Sequence, residues 1–253
     1  MKAYKKRKRF IQTEAIALKV YDFGDADRIF VFLTPDQGLI KIVAKGIRKP
    51  KSKMGGHVDV LSKVNAYISL NDNLSNLSQV EIIENYKAIK DDHLINLSQV
   101  IIIYNYKAIN DDLSRISIGF YLLELAEKFS VENDPNNDIY YHLAFTLDQL
   151  QKNINNDLLM RWFELNLLSL SGFLPDLYSC QISGNTLIEG DHVFSSVNGG
   201  LVEKKFSTNT DNYVHVDKNS IKAMRFLINN GWDDIRTMKF QNKNLKKIKE
   251  VTK

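Results

Sequence analysis

The sequence predicts an α+β protein, in which an N-terminal β-barrel of the OB-fold type is followed by a mostly α-helical domain. Up to about residue 85, short segments rich in β-branched and aromatic residues alternate with turn-forming residues. From about residue 108, apolar residues recur instead at the spacing of a helix. A turn-rich stretch at 178–215 interrupts the helical part, and we expect a small irregular insertion there.

Four strands are predicted in the first 70 residues. They lie at 13–20, 28–34, 38–45 and 58–70. The turns between them contain Gly24 with Asp25, Pro35 with Asp36 and Gly38, and Gly55 with Gly56. Such closely spaced short strands favour a small Greek-key barrel. We expect Phe30 and Phe32 in its core, whereas Tyr21 and Phe23 lie beside a turn.

Four helices are predicted after residue 108. The first begins at Asp111 or Asp112, the second covers 139–153, the third runs from Asp157 to Gly172, and the fourth covers 217–231. Aspartate accepts the free N–H groups at a helix start, and glycine favours a helix end. The predicted domains are therefore an OB-fold at 1–85, a linking segment at 86–107 and a helical domain at 108–253.

The linking segment contains part of a near-exact internal repeat. Residues 76–92 recur as 96–112, with 14 of 17 positions identical at an offset of 20. Two copies are too few for a solenoid, so a tandem insertion is the simpler explanation, with a second binding surface as the alternative. We assign the first copy to the barrel. The second copy is more apolar, through Ile101 and Tyr104, which suggests a buried segment or an additional edge strand.

Charge is distributed unevenly along the chain. Residues 1–53 carry a net charge of +9, residues 54–235 carry −11, and residues 236–253 carry +6. Cationic ends on an acidic body suggest an anionic partner, with nucleic acid ahead of a membrane surface. For the C-terminal run we favour a solvated tail. No apolar run approaches the length of a membrane-spanning helix, and a single cysteine, Cys180, favours a reducing cytoplasmic location.

The most concentrated positive charge lies in the segment KGIRKPKSK at 45–53. Five cations occur there without an intervening acid: Lys45, Arg48, Lys49, Lys51 and Lys53. Pro50 restricts the conformations of this loop. Lysine and arginine on a barrel loop are the residues that neutralise phosphates, and nearby aromatic side chains can stack on bases. The segment therefore predicts a DNA-binding loop.

Catalytic motifs are not found in the sequence. The five histidines show no metal-ligand spacing, and there is no nucleotide-binding glycine loop. Asp22, Asp25 and Asp27 could hold a divalent metal in a nuclease, but a capped loop with ion pairs is the favoured interpretation. Arg28 is a DNA-binding candidate, with pairing to Asp25 or Asp27 as the equal alternative. We therefore expect no enzyme activity, no catalytic residue and no cofactor.

Several of these segments resemble one protein family. The strand TEAIALKV, the turns GDADR and TPDQG, and the loop AKGIRKPKS are similar to the opening of the bacterial RecO DNA repair proteins. EIIENYKAI, FYLLELAEKF and RWFELNLLSLSGFLPDLYSC match further landmarks, so that the resemblance extends to about residue 230.

The resemblance implies an OB-fold that binds single- and double-stranded DNA, and a protein that anneals strands. It implies action with RecR, loading of recombinase on gaps coated by single-strand binding protein, and docking of that protein's acidic C-terminal tail on the helical domain. The implied location is cytoplasmic, at the nucleoid, without a membrane partner. The candidate DNA-binding residues are the cations of the N-terminal third: Lys5, Lys6, Arg7, Lys8, Arg9, Arg28, Lys45, Arg48, Lys49, Lys51 and Lys53.

The insertion departs from the family pattern. Many members carry four cysteines there, whereas this chain has Cys180, Ser183, Glu203 and Phe206 at those places. Serine and phenylalanine do not supply a structural zinc site. We therefore expect a degenerate zinc-finger-like insertion without metal, held by packing of residues such as Phe194, Leu201 and Phe206.

Two further hypotheses remain beside a DNA-binding mediator of repair. A protein-interaction adaptor would use the helical domain to dock acidic tails, with Arg161 as the candidate contact. The alternative for Arg161 is an exposed side chain paired with Asp157 or Glu164. A metal-dependent nuclease is the third hypothesis and the least favoured.

Overall fold

The computed structural model describes residues 9–52, 58–70, 75–81, 101–152, 154–207 and 213–252. The chain divides into two units, residues 1–151 and 152–253. The helices within the described ranges are all too short or too polar to cross a membrane.

The first unit contains a closed β-barrel. Its strands are β1 (Arg9–Phe23), β2 (Asp27–Thr34), β3 (Gly38–Ala44), β4 (Ser62–Leu70) and β5 (Ser75–Glu81), with a short sixth strand, β6 (Ile101–Asn105). The order is β1-β2-β3-β5-β4, and β4 pairs with β1 to close the barrel. β3 and β5 are parallel, whereas the other neighbours are antiparallel. This five-stranded closure is the OB topology, so the predicted fold is confirmed.

The barrel core is built from the alternating residues that the sequence marks. Phe30 and Phe32 are fully buried, with their rings stacked at 5.3 Å, as predicted. Val31 and Leu33, on the opposite face of β2, are buried as well. The sequence of β2 is a continuous apolar run, rather than an alternating one, because both faces of the strand are buried.

β5 and β6 come from the two copies of the internal repeat. The start of the first copy forms β5, and residues of the second copy form β6, which pairs with the first residues of β4. The first copy therefore contributes to the barrel, as predicted, and the second supplies an additional strand. The rest of the repeat between these strands, 82–100, lies outside the described residues.

Three helices complete the first unit: α1 (Lys107–Asn110), α2 (Leu113–Lys128) and α3 (Asn137–Leu150). Asp112 caps α2, accepting the N–H groups of Ser114 and Arg115 at 2.9 and 3.3 Å, as predicted. α2 contacts β1, and α3 contacts β2. These contacts place α2 and α3 in the same unit as the barrel, and the predicted division of the chain at 85 and 108 stays a prediction.

The turn between β2 and β3 is tied to the loop between α2 and α3. The N–H of Asn133 donates to the carbonyl of Leu39 at 2.9 Å, and the N–H of Leu39 donates to the carbonyl of Val131 at 3.3 Å. Gly38 has φ +66°, and a Cβ at this position would collide with the backbone carbonyl of Asp134. This close approach requires glycine.

The second unit contains α4 (Asn156–Leu170), α5 (Lys218–Asn229), α6 (Trp232–Ile235) and α7 (Asn242–Val251). A small sheet lies between α4 and α5. Its strands are β7 (His192–Ser195), β8 (Gly200–Val202) and β9 (Val214–Val216), with β7 in the centre and a 3₁₀ turn at Lys204–Phe206. Phe194 and Leu201 are buried in this insertion, as expected, whereas Phe206 is half-buried.

The boundaries of α4 differ from the prediction at one end. Gly172 adopts φ +76° just beyond the helix and ends it, as predicted. The N-cap is Asn155 rather than Asp157, because the Asn155 side chain accepts the N–H of Leu158 at 3.1 Å. Asp157 therefore lies in the first turn, where its negative charge interacts favourably with the positive end of the helix dipole.

The prediction of a solvated C-terminal tail is wrong. The run forms α7, whose residues Leu245, Ile248 and Val251 are buried. α7 contacts both α4 and α5. Its lysines occupy the opposite face of an amphipathic helix, so a segment that is strongly charged overall still contributes to the core.

Candidate nucleic-acid interface

Two loops of the barrel meet at one edge. The backbone N–H of Arg48 donates to the carbonyl of Ala26 at 2.9 Å, and the N–H of Gly46 donates to Asp27 Oδ1 at 2.7 Å. The first bond is between backbones, and the second uses an acid that the turn supplies. We call the surface formed by residues 21–28 and 45–52 the basic edge.

The loop at 45–52 is anchored by its only large apolar residue. Ile47 is 2% exposed and belongs to the barrel core. Gly46 has φ +68°, which reverses the chain just before this anchor. With Ile47 held inside, the four described cations of the loop are exposed: Lys45, Arg48, Lys49 and Lys51.

Asp22 bridges two arginines of the basic edge. Its Oδ1 accepts from Arg28 Nε at 3.1 Å, and its Oδ2 lies 3.5 Å from Arg48 Nη1. The predicted pairing of Arg28 with Asp25 or Asp27 is therefore wrong. Asp22 and Arg28 face each other across the β1–β2 ladder, whereas Asp27 is engaged with the loop backbone. Asp22 therefore offsets part of the positive charge of both guanidinium groups.

The lysines of the basic edge differ from the arginines. Among the residues that the structure describes, Lys45, Lys49 and Lys51 have no carboxylate partner. Exposed lysines without a local counter-charge are available to neutralise phosphates, which releases the cations condensed on a nucleic acid. Tyr21 and Phe23, on the same edge, are 50% and 49% exposed. Their rings are accessible for stacking on bases.

The N-terminal cations are not brought to the basic edge by any described contact. Lys5, Lys6, Arg7, Lys8 and Lys53 lie outside the described residues. Arg9 is the first residue of β1 and pairs with Leu70, whereas the basic edge begins where β1 ends, at Phe23. Fourteen residues of extended chain span on the order of 45 Å if straight. The assignment of these residues to DNA stays a prediction.

The three aspartates of the first turn do not form a metal centre. Asp22 and Asp27 are engaged with arginines and with a backbone N–H. Within the described ranges, no group of three acidic, histidine or cysteine side chains is placed to hold a metal ion. The nuclease hypothesis therefore gains no support from the arrangement of these carboxylates.

Cys180 and Glu203, two of the four positions expected to match cysteines in related proteins, are in contact in the insertion of the second unit. The buried Cys180 Sγ accepts the backbone N–H of Glu203 at 3.4 Å. Burial raises the pKa of the Cys180 thiol, but hydrogen bonds from Glu203 and Ser183 outweigh it and hold the pKa below its usual value. Ser183 and Phe206 at the other two positions do not suit zinc. The hydrogen bond from Glu203 to the Cys180 sulfur links the two halves of the insertion, and the absence of a zinc site stays an expectation.

Arg161 is corrected as a candidate partner contact. It is 3% exposed, not an exposed side chain, and its Nη1 lies 2.7 Å from Glu164 Oε2, which is equally buried. The predicted pairing with Glu164 is thus right. Thr252 Oγ1 donates to the same carboxylate at 2.5 Å. A guanidinium enclosed in this way cannot reach an acidic tail, because an unpaired buried Glu164 would be costly.

A pocket in the second unit presents cations and apolar side chains together. It has a volume of about 240 Å³ and lies between the insertion and α5. Leu187, Ile188 and Ile221 line it, and Ile188 is 78% exposed. Lys218, Lys222 and Arg225 also line it. Lys222 pairs with Glu189 at 2.6 Å, and Arg225 donates to the carbonyl of Leu177.

Sequence reasoning missed the residues that organise the basic edge. Ile47 could have been recognised as the one apolar residue in a cationic run, which indicates an anchor. The partner choices of Asp22 and Asp27 had no such signal, because they depend on how far the loop folds back over the turn.

The chain matches known proteins along most of its length. Residues 9–86 match the family model for the N terminus of recombination protein O, and residues 110–253 match the model for its C terminus. The DNA repair protein RecO of Dehalococcoides mccartyi is 27% identical over 237 residues, which cover 94% of this chain and 85% of that protein. RecO of Roseiflexus sp. is 30% identical over 196 residues, which cover 78% and 62%. RecO of Symbiobacterium thermophilum is 27% identical over 218 residues, which cover 85% and 78%.

Proposed function

Because this chain belongs to the RecO family of DNA repair proteins, we propose that it is a non-enzymatic mediator of recombinational repair that binds and anneals DNA strands. The family match supports the role in DNA repair. The resemblance stated from the motifs is thereby confirmed. We further propose that it helps load recombinase on gaps coated by single-strand binding protein, acts with RecR, and works in the cytoplasm at the nucleoid.

The basic edge is the observation that carries DNA binding. It combines exposed lysines without local counter-charges, two arginines oriented on one carboxylate, and two half-exposed aromatic rings on a closed barrel. This is the combination that single-strand binders use, in which cations follow the backbone and rings stack on bases. None of these contacts reads base edges, so binding independent of sequence is expected.

The two kinds of residue have separable roles. Lysine contacts with phosphates release counterions and make affinity depend on salt, whereas stacking on Tyr21 and Phe23 depends on salt only weakly. Stacking also requires unpaired bases. The aromatic residues should therefore favour single strands, and the cations should serve both forms.

A fluorescence anisotropy titration with labelled oligonucleotides tests this proposal. Single- and double-stranded oligonucleotides of one composition are titrated at several salt concentrations, and complementary strands are mixed in a parallel annealing assay. We expect binding to both forms, a linear fall of log affinity with log salt, and faster annealing with protein. Binding that is absent at low salt would refute DNA contact, and binding without faster annealing would refute the annealing role.

A second candidate function is the docking of an acidic tail in the pocket beside α5. A pocket lined by both apolar side chains and cations fits a peptide that ends in an aromatic residue and a carboxylate. The aromatic side chain would contact Ile188 and Ile221, and Lys218 would face the carboxylate. We propose this pocket as the docking place for the C-terminal tail of single-strand binding protein, in place of Arg161.

Isothermal titration with a synthetic acidic peptide ending in phenylalanine tests the pocket. Replacing Ile221 by Ala or Lys218 by Ala should weaken binding several-fold, and a peptide lacking the phenylalanine should not bind. Lys246→Ala, on the exposed face of α7, serves as a matched charge control. If Lys246→Ala and Lys218→Ala weaken peptide affinity equally, net charge alone explains the effect, and docking in the pocket is refuted.

A further inference from the structure

The two copies of the internal repeat share one strand position in the barrel. The segment NLSQV occurs identically at 76–80 and 96–100, and the next position is Glu81 in the first copy and Ile101 in the second. β5 uses the first copy, and β6 uses the second. Both pair with the same strand, β4, one after the other along its length.

The pairing register joins the two copies without a shift. Val80 stands opposite Ala66, Glu81 opposite Asn65, and Ile102 opposite the next residue of β4, Val64. Ile102 corresponds to Ile82 at the repeat offset of 20. It therefore occupies the place that Ile82 would take if the first copy continued unbroken. Irregularities flank this junction on both sides, between Ile68 and Tyr67 in the pairing with β5 and between Val64 and Lys63 in the pairing with β6.

We propose that the barrel accommodates a single copy of the repeated segment beside β4, and that the two copies compete for this place. In one state, β5 is formed by 76–81, and the strand is completed by the second copy from Ile102. In the other state, 96–101 replaces 76–81, Ile101 stands opposite Asn65, and the strand runs unbroken into β6. One repeat length of chain is surplus in either state.

The two states differ little in the contacts they make. The five identical residues would form the same backbone pairs with β4, and the alternation of faces is kept. The difference at the junction, Ile101 for Glu81, favours the second state through strand propensity. The two states differ in which loop carries the surplus chain. This difference favours neither state strongly, because the entropy cost of closing a loop rises only slowly with its length. Both states should therefore be populated.

Disulfide trapping tests the competition in the full chain. Asn65→Cys is combined with Glu81→Cys in one variant and with Ile101→Cys in another, and mild oxidation is followed by peptide mapping. Residues opposite each other on neighbouring strands lie within the span of a disulfide. We expect both variants to cross-link in the native protein. Asn65→Cys with Asn96→Cys, whose positions are not opposite in either state, should not. Cross-linking of the Glu81 variant alone would overturn the proposal.

Two deletions provide an independent test. Removal of 82–101 and removal of 76–95 yield chains that differ only in having glutamate or isoleucine opposite Asn65. We expect both to unfold cooperatively, with melting temperatures close to that of the full chain. Failure of both to fold would show that no copy is surplus. Failure of the 76–95 deletion alone would show that the second copy cannot take the place of the first.

Discussion

Replacing Lys49 and Lys51 by alanine should weaken DNA binding and flatten its dependence on salt. Both side chains are exposed on the basic edge, and neither is paired with a carboxylate in the described part of the chain. Their removal breaks no ion pair and leaves the anchor, Ile47, in place. The loop should therefore keep its conformation, and the effect should come from lost phosphate contacts alone.

The size of the effect follows from counterion release. Each phosphate neutralised on a single strand contributes roughly 0.7 to the slope of log affinity against log salt, so the double variant should lose roughly 1.4. At about 0.1 M salt this corresponds to roughly 25-fold weaker binding, or about 1.9 kcal/mol. Between about 50 and 200 mM salt, the variant should lose roughly seven-fold less affinity than the unaltered protein.

Fluorescence anisotropy with a labelled single strand measures both quantities, and far-ultraviolet circular dichroism checks the fold. The matched control is Lys246→Ala with Lys249→Ala, which removes the same charge from the exposed face of α7. We expect this control to keep the slope of the unaltered protein. An equal loss of slope in both double variants would mean that net charge governs binding. An unchanged slope in the Lys49 and Lys51 variant would remove the loop from the interface.

Four other substitutions probe the same unit, with Gly24→Ala as a control for one of them. Tyr21→Ala and Phe23→Ala should each weaken single-strand binding by about 1–3 kcal/mol and leave the salt slope unchanged, and a change of slope without a change of affinity would argue against stacking. Asp22→Asn should release two arginines for phosphates, so that binding tightens and the slope steepens by up to roughly 1.4, whereas weaker binding would show that Asp22 is needed to orient them. Gly38→Ala should lower the free energy of unfolding in urea by roughly 3 kcal/mol, because a left-handed alanine costs about 1–2 and the displaced loop loses hydrogen bonds of about 1 each. Gly24 has φ +56° and open space around it, so Gly24→Ala should cost only the penalty of a left-handed alanine, about 1–2 kcal/mol. Equal losses of stability in Gly24→Ala and Gly38→Ala would refute the steric argument.

The accuracy of the sequence predictions follows the range of the interactions involved. Asp112 as a cap and Gly172 as a helix end were right because both depend on residues within one helical turn. Asn155 was missed as the cap of α4 because two asparagines and an aspartate compete within three residues. The choice among them depends on how the helix packs.

The charged segments show the same limit. The cationic C-terminal run was taken for a tail, but three apolar residues at helical spacing hold α7 in the second unit. Arg161 was taken for an exposed side chain, although α4 is covered on the face that carries it. For Arg161 the charge was visible in the sequence and the burial was not, whereas for α7 the apolar spacing was visible beside the charge.

The first four strands, the helices α2 to α5, the OB-type barrel and the cationic loop followed from the sequence alone, because hydrophobic periodicity, turn residues and charge are local properties of the chain. The tertiary structure decided which acid pairs with Arg28, that Ile47 turns the loop cations outward, and that Arg161 is enclosed. It also decided that two distant copies of one segment meet on β4. Such outcomes depend on which surfaces the folded chain brings within a few ångströms, and residues far apart in sequence determine that.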